Sequence, residues 1–360
     1  MHKKKYFEHF DALRFLAFFK VFIFHLPIHN SPIFSYLKAG GGVGVMFFFV
    51  LSGFLITWII LEEKEQQGSL NLRNFFMRRI LRIWPLYYLM ILIAFLTPFL
   101  LGAIGLSASN QGYEPIWAYS LTFLENYRMI FLGEAPNVAP LGVMWSLCIE
   151  EHFYLIWGLA LYFLDKRQLP YLIGAAVLIA IGSRYFFWTQ AWDSLDVFTN
   201  LDLFAIGALP AYWLIQGKRI PKLGKGKAYV LLAVLMLFVV LYPHFINTLQ
   251  FIFGPTILAM IFILILVLFI PIFGPLGFGN TLPWKWGKYT YGLYVYHTLV
   301  IGLMIKVLEK VGWILDSFWG AISFALIAFF LSLGISYMSY HLFELPFLKL
   351  KSRFYSSGSR

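Results

Sequence analysis

Ten stretches of the chain are apolar over about the length of a membrane-crossing helix: 10–28, 40–61, 81–104, 143–164, 169–189, 198–216, 228–245, 250–271, 288–308 and 318–343. A hydrocarbon layer of about 30 Å takes about 20 helical residues. Apolar residues run continuously through these stretches instead of alternating at every second position, which predicts helices and not the strands of an outer-membrane barrel. An eleventh stretch, 116–132, is shorter and carries Glu125, Asn126 and Arg128 at its centre, a costly core for a lipid-facing helix.

The polar segments between the stretches decide the topology. Basic residues gather at Lys3–Lys5, in the 62–82 loop (Lys64, Arg73, Arg78, Arg79, Arg82), at Lys166 and Arg167, in 217–227, at Lys285 and Lys288, and at Lys349, Lys351 and Arg353. All of these face the cytoplasm under the positive-inside rule if 116–132 does not cross. If it crosses, every later loop inverts. The expected fold is therefore an all-α polytopic integral membrane protein with about ten transmembrane helices, one short re-entrant or interfacial segment and both termini cytoplasmic. A single domain over 1–350 with a short basic tail over 351–360 is expected, without an internal repeat.

Composition agrees: 60% of residues are hydrophobic and 12% charged, against about a quarter charged in soluble domains. The net charge of +11 is accounted for by cytoplasmic loops and does not call for nucleic acid. The lone cysteine, Cys148, excludes an internal disulfide and a cysteine-based metal cluster. "MHKKKYFEHF" opens like a signal peptide but no small-residue cleavage pattern follows, so the first helix is expected to be retained.

Ionisable residues inside the spans are the candidates for chemistry, since each costs about 2.5–3.5 kcal/mol on insertion scales. In "FDALRFLAFFKVFIFH", Arg14 and His25 are eleven residues apart, which places them about 20° apart around the helix and about 16 Å apart along it. Phe18 and Val21 share that stripe, with Asp11 nearby, whereas Lys20 points elsewhere without an evident partner. Ser52 and Gly53 lie midway along the second span, where small residues serve close packing or, given an adjacent base, a nucleophile. Arg79 and Arg82 neighbour each other on one helical face, fit either for phosphate oxygens or for anchoring. Glu150 and Tyr154 share a face of the fourth span, at the depth expected for His25, where a carboxylate could orient an imidazole or form a structural pair with it. His297 and Tyr294 fall in the ninth span, His341 and Glu344 near the end of the tenth.

"RFLAFFKVFIFH", "GVGVMFFFVLSGFLIT", "RRILRIWPLY", "MWSLCIEEHFYLIW", "YTYGLYVYH" and "HLFELPF" occur in the order and spacing of the bacterial acyltransferase-3 family, which the chain resembles over nearly its whole length in a stand-alone form. Departures are Met46, where many members have Asp, and His152, where Gln is frequent. The resemblance implies transfer of an acyl group, commonly acetyl from acetyl-CoA, to a hydroxyl of an exported or cell-surface carbohydrate or glycolipid, in the bacterial cytoplasmic (inner) membrane. It implies catalytic roles for His25, Glu150, Arg14 and Tyr154, binding of the acyl-CoA donor by Arg79, Arg82, Ser52 and Gly53, and acceptor contacts for His297, Tyr294 and Glu344. No tightly bound cofactor or metal is expected. The rival expectation is a transporter or flippase using His25 and Glu150 as a proton or substrate site; the paired broken helices or inverted repeat that would support it are not found.

Overall fold

The computed structural model describes residues 7, 9–28, 32–106, 111–218, 223–244, 247–270, 276–277, 281–311 and 317–355. The helices are α1 (His9–His25), α2 (Pro32–Lys38), α3 (Gly42–Gln67), α4 (Leu72–Ala103), α5 (Trp117–Leu121), α6 (Glu125–Leu132), α7 (Trp145–Phe163), α8 (Leu169–Thr189), α9 (Leu201–Ile215), α10 (Lys225–Leu241), α11 (Thr248–Phe269), α12 (Leu282–Trp286), α13 (Thr290–Val311), α14 (Phe318–Ser339) and α15 (Leu345–Leu350). Each of the ten apolar stretches is a helix, and no strand forms among the described residues. Eight helical segments are long and apolar enough to cross a membrane. The helices α1 and α7, which carry Arg14, His25 and Glu150, are not among those eight.

The 116–132 stretch does not form a span. It breaks into α5 and α6 of five and eight residues, with Phe123 in a left-handed conformation between them. Its carboxylate is satisfied internally, whereas Asn126 Oδ1 and one terminal nitrogen of Arg128 have no hydrogen-bond partner among the described residues. Glu125, fully buried, accepts from Tyr113 OH and Ser120 Oγ, both at 2.6 Å, and the Arg128 guanidinium stands 4.4 Å from the Tyr113 ring centre. Burial and the Glu125 carboxylate push the Tyr113 phenol well above its ordinary range, so it donates as a neutral group.

The bundle is organised around α3, which packs most extensively against α9. A Cβ on Gly53 would lie 1.9 Å from the Phe204 carbonyl oxygen, and one on Gly207 2.1 Å from that of Val50, so the two backbones meet through paired glycines. Arg184 on α8 and Asp202 on α9 form a fully buried ion pair. Its guanidinium also donates to the Ile252 and Thr199 carbonyls and Thr256 Oγ1. All its hydrogen-bonding groups are engaged, as a buried charge requires, and the pair ties α8, α9 and α11 together.

Lys20 has a structural partner that the sequence did not reveal. Its Nζ donates to the carbonyls of Leu37 and Ala39 at 2.6 Å each, capping the C-terminal end of α2, while Lys38 donates to Leu26 O and Ile28 O just beyond α1. Two lysines thus clasp the paired helix ends, where carbonyl dipoles favour cations.

Candidate active site

The predicted stripe of α1 faces the interior: Phe18 and Val21 are buried, while Leu16, Phe19 and Phe24 on other faces are exposed. Contacts along α1 set the levels of the neighbouring helices. Phe10 packs on Phe54 of α3, ring centres 5.2 Å apart, and Ala17 meets Gly44, so α3 runs antiparallel to α1 and Ser52 lies near the Asp11–Arg14 end. Gly287 abuts Asp11 and His297 reaches His25, so α13 runs parallel to α1.

At the Arg14 end is a cavity of about 140 Å³ lined by α1, α3, α4, α7 and α13. Four cationic side chains, Arg14, Arg79, Arg82 and Lys288, line it with two carboxylates, Asp11 and Glu150. Arg14 is paired with Asp11 one turn away. Glu150 accepts from Tyr154 OH at 2.6 Å and from Ser52 Oγ at 3.2 Å. Ser146, Glu150 and Tyr154 line the cavity from α7 at four-residue spacing, a continuation of the Glu150–Tyr154 face by one more turn that the sequence already carried.

Three adjacent arginines have different environments. Arg78 donates to Glu63 Oε2 and to the Phe354 carbonyl, both at 2.7 Å, and so fastens α4 to α3 and to the C-terminal segment. Arg79 is buried, stands 6.0 Å from the Tyr154 ring centre, and its Nε has no hydrogen-bond partner. Arg82 is exposed and lines the same cavity without a hydrogen bond or ion pair to a described residue. Arg79 and Arg82 thus face one cavity without an ion pair, and planar guanidinium groups are of the chemistry that suits anions with several oxygens.

At the other end of the stripe the His25 and His297 rings meet, with His297 Nε2 3.2 Å from His25 Nδ1. Between cavity and histidines lies a layer made by Tyr294, Ser146 and Phe48. Tyr294 OH is 2.6 Å from Ser146 Oγ and donates to Val143 O, its ring packs on Phe48, and its ring centre is 6.0 Å from that of His297.

The geometry corrects the expected placements of Glu150 and Gly53 and locates two of the acceptor candidates, His297 and Glu344. Glu150 is not level with His25 and does not orient it. Tyr294 precedes His297 by one turn, Ser146 touches Tyr294, and Glu150 lies a further turn along α7, about 10 Å from the histidines by helical rise. The cause is the segment before α7: a 3₁₀ turn over Leu141–Val143 carries the chain into the bundle, so α7 starts inside it. Gly53 does not line the cavity; it is pressed against α9, and close backbone packing accounts for it. His297 is fully buried against His25, Phe18 and Phe22, partnering a ring instead of lining the cavity. Glu344, in a π-helical turn over Tyr340–Glu344, accepts from Ser339 Oγ at 3.1 Å and also stands outside the cavity. Sequence reasoning passed over Lys288 and Ser146 as cavity residues; Tyr291, one of the tyrosines of the ninth span fit for sugar or nucleotide contact, lines the cavity as well. Among the described residues no group of His, Cys, Asp and Glu converges as a metal site.

Comparison with known proteins places this arrangement in a family. The sequence profile described as an acyltransferase domain matches residues 7–341. The chain belongs to the acyltransferase-3 family. It is 30% identical over 332 residues to the peptidoglycan O-acetyltransferase OatA of Listeria monocytogenes, covering 86% of this chain and 51% of that protein. It is 28% identical over 366 residues to the "Putative peptidoglycan O-acetyltransferase YrhL" of Bacillus subtilis, covering 95% and 55%. The chain spans about half the length of these curated relatives. No solved structure matches it.

Proposed function

We infer that this chain is a membrane O-acyltransferase that takes acetyl, or another short acyl group, from cytoplasmic acyl-CoA and transfers it to a hydroxyl of an exported or cell-surface carbohydrate. The observation that carries this reading is the pair Arg79 and Arg82, facing an intramembrane cavity without anionic partners. Coenzyme A presents a diphosphate and a 3′-phosphate at one end and its thioester at the other. With the phosphates held at the Arg14–Arg79–Arg82 level, the thioester lies toward His25, roughly 16 Å of helical rise away, and reaches it when the Tyr294–Ser146–Phe48 layer that closes the cavity parts. The positive-inside rule puts the arginine end in the cytoplasm and the histidine end toward the outer face of the cytoplasmic membrane. Peptidoglycan O-acetyltransferase activity in the name of the Listeria relative supports a carbohydrate acceptor.

In this scheme His25 accepts the proton of the acceptor hydroxyl as its oxygen attacks the thioester carbonyl. The C–S bond breaks, the ester forms, and the imidazolium returns the proton to the CoA sulfur. Glu150, held by Ser52 and Tyr154, balances the cationic wall of the cavity and keeps Tyr154 under Arg79. Purified protein in nanodiscs, given acetyl-CoA and muropeptide or other glycan acceptors, is expected to form O-acetyl esters, and His25→Ala to abolish them. Acetyl-CoA left unconsumed by wild type over a panel of acceptors would sink the reading.

A further inference from the structure

The histidine pair specifies more than proximity. His25 Nδ1 lies 2.9 Å from the Val21 carbonyl and His297 Nδ1 3.1 Å from the Leu293 carbonyl, each the carbonyl four residues back along its own helix. A carbonyl oxygen only accepts, so each Nδ1 is the protonated nitrogen. That leaves Nε2 of His297 with a lone pair, and it lies 3.2 Å from His25 Nδ1, where it receives the same hydrogen as the second arm of a three-centre bond. The opposite assignment, with His297 Nε2–H donating to a bare His25 Nδ1, turns both Nδ1 lone pairs onto carbonyl oxygens. A doubly protonated His297 would set two N–H groups against each other in a fully buried position.

We propose that His297 is the positioning residue of the transfer reaction: it fixes the His25 ring in the Nδ1–H tautomer and leaves Nε2 as the nitrogen that takes the acceptor proton. Nε2 of His25 has no hydrogen-bond partner among the described residues, so the free lone pair and the reactive position coincide. The ring plane is fixed as well, by the Val21 carbonyl on its own helix and by His297 on α13, while Phe18 packs edge-on against the His297 ring and Phe22 lies tilted beside it. Lys38 is the charged group facing His25 from the α2 side; it is itself engaged with the Leu26 and Ile28 carbonyls. The role deepens the acyltransferase reading and depends on His25 being its base.

Two substitutions separate positioning from packing. His297→Gln places an accepting oxygen near the Nε2 position; His297→Phe fills the volume without an acceptor. Acetyl transfer by the full chain in nanodiscs is expected to keep kcat within about fivefold in His297→Gln. In His297→Phe a loss on the order of 10²- to 10⁴-fold is expected, the scale on which a mis-set catalytic histidine is known to act. The KM for acetyl-CoA, set at the arginine level, should stay within about twofold in both. Equal rates in the two variants, or a Phe variant as active as wild type, overturn the role of His297. If His25→Ala is itself fully active, the acyltransferase scheme fails instead. Should neither variant fold, ¹⁵N-histidine spectra of the wild type decide. Pyrrole-type nitrogen at Nδ1 and pyridine-type at Nε2 of His25 are expected; the reverse overturns the proposal.

Discussion

Arg79 offers a test in which ligand affinity and stability move in opposite directions. Its side chain is buried, with 8% of the residue exposed, and its Nε has no partner. A buried polar group left unpaired costs about 1–3 kcal/mol, and that cost is present whenever the anion is absent. Arg79→Met keeps the aliphatic stem and removes the orphaned group, so the ligand-free protein should be as stable as wild type or more stable, by up to about 2 kcal/mol in the same bookkeeping. Affinity for CoA should fall. A hydrogen bond to a charged group contributes about 1.5–3 kcal/mol, which is about 10- to 150-fold in Kd. Arg82, exposed on the same wall, should give a smaller loss in Arg82→Ala, and that loss should shrink further between 50 and 500 mM salt because the screening length falls over that range from about 14 Å to about 4 Å. The Arg79 contribution, shielded from solvent, should persist. Calorimetric titration of CoA into protein in nanodiscs, with ligand-free melting curves of the same samples, measures both quantities. Unchanged CoA affinity when Arg79→Met and Arg82→Ala are combined, or an Arg79→Met protein that melts earlier yet binds CoA as before, would show the pair to be structural anchors.

Other consequences concern the scaffold. Gly53→Ala places a Cβ 1.9 Å from the Phe204 carbonyl and must push α3 from α9; overpacking of about 1–3 kcal/mol or more is expected, while Gly42→Ala, with open space around its Cβ position, should leave the melting temperature near that of wild type. Arg184→Met alone leaves Asp202 buried and unpaired and should cost about 3–5 kcal/mol, and adding Asp202→Leu should recover much of the loss in chemical denaturation. Lys20→Met releases the α2 carbonyls and should raise hydrogen exchange over residues 32–39 without altering the KM for acetyl-CoA, whereas Lys20→Arg should retain part of the protection.

Much of this architecture was legible in the apolar pattern, because a helix in lipid must satisfy its backbone internally and so declares itself by length and composition. The Arg14–His25 stripe was legible for the same reason: helical geometry alone fixes which residues of α1 share a face. Partners across helices were not. Nothing in the local sequence distinguishes Arg78, tied to Glu63, from Arg79, which is left facing a cavity; the difference arises from what α3 and the C-terminal segment bring near. The depth of Glu150 depended on where α7 begins, and a 3₁₀ entry inside the bundle leaves no hydropathy signal. Gly53 lay one residue from a cavity-lining serine, and only the position of α9 shows that it faces the other way. Arg184 and Asp202 sit eighteen residues apart on separate helices, and their pairing is a property of the packed bundle alone.

The central claim is that a donor bound at the arginine level on one side delivers its acyl group to an acceptor at the histidine level on the other. Oriented proteoliposomes test it most directly, with radiolabelled acetyl-CoA supplied only on the face bearing Arg82 and a glycan acceptor enclosed on the opposite face. The account predicts label recovered as an alkali-labile ester on the enclosed acceptor, dependent on His25. Unmodified acceptor, or acceptor moved across the bilayer without acquiring label, would contradict it.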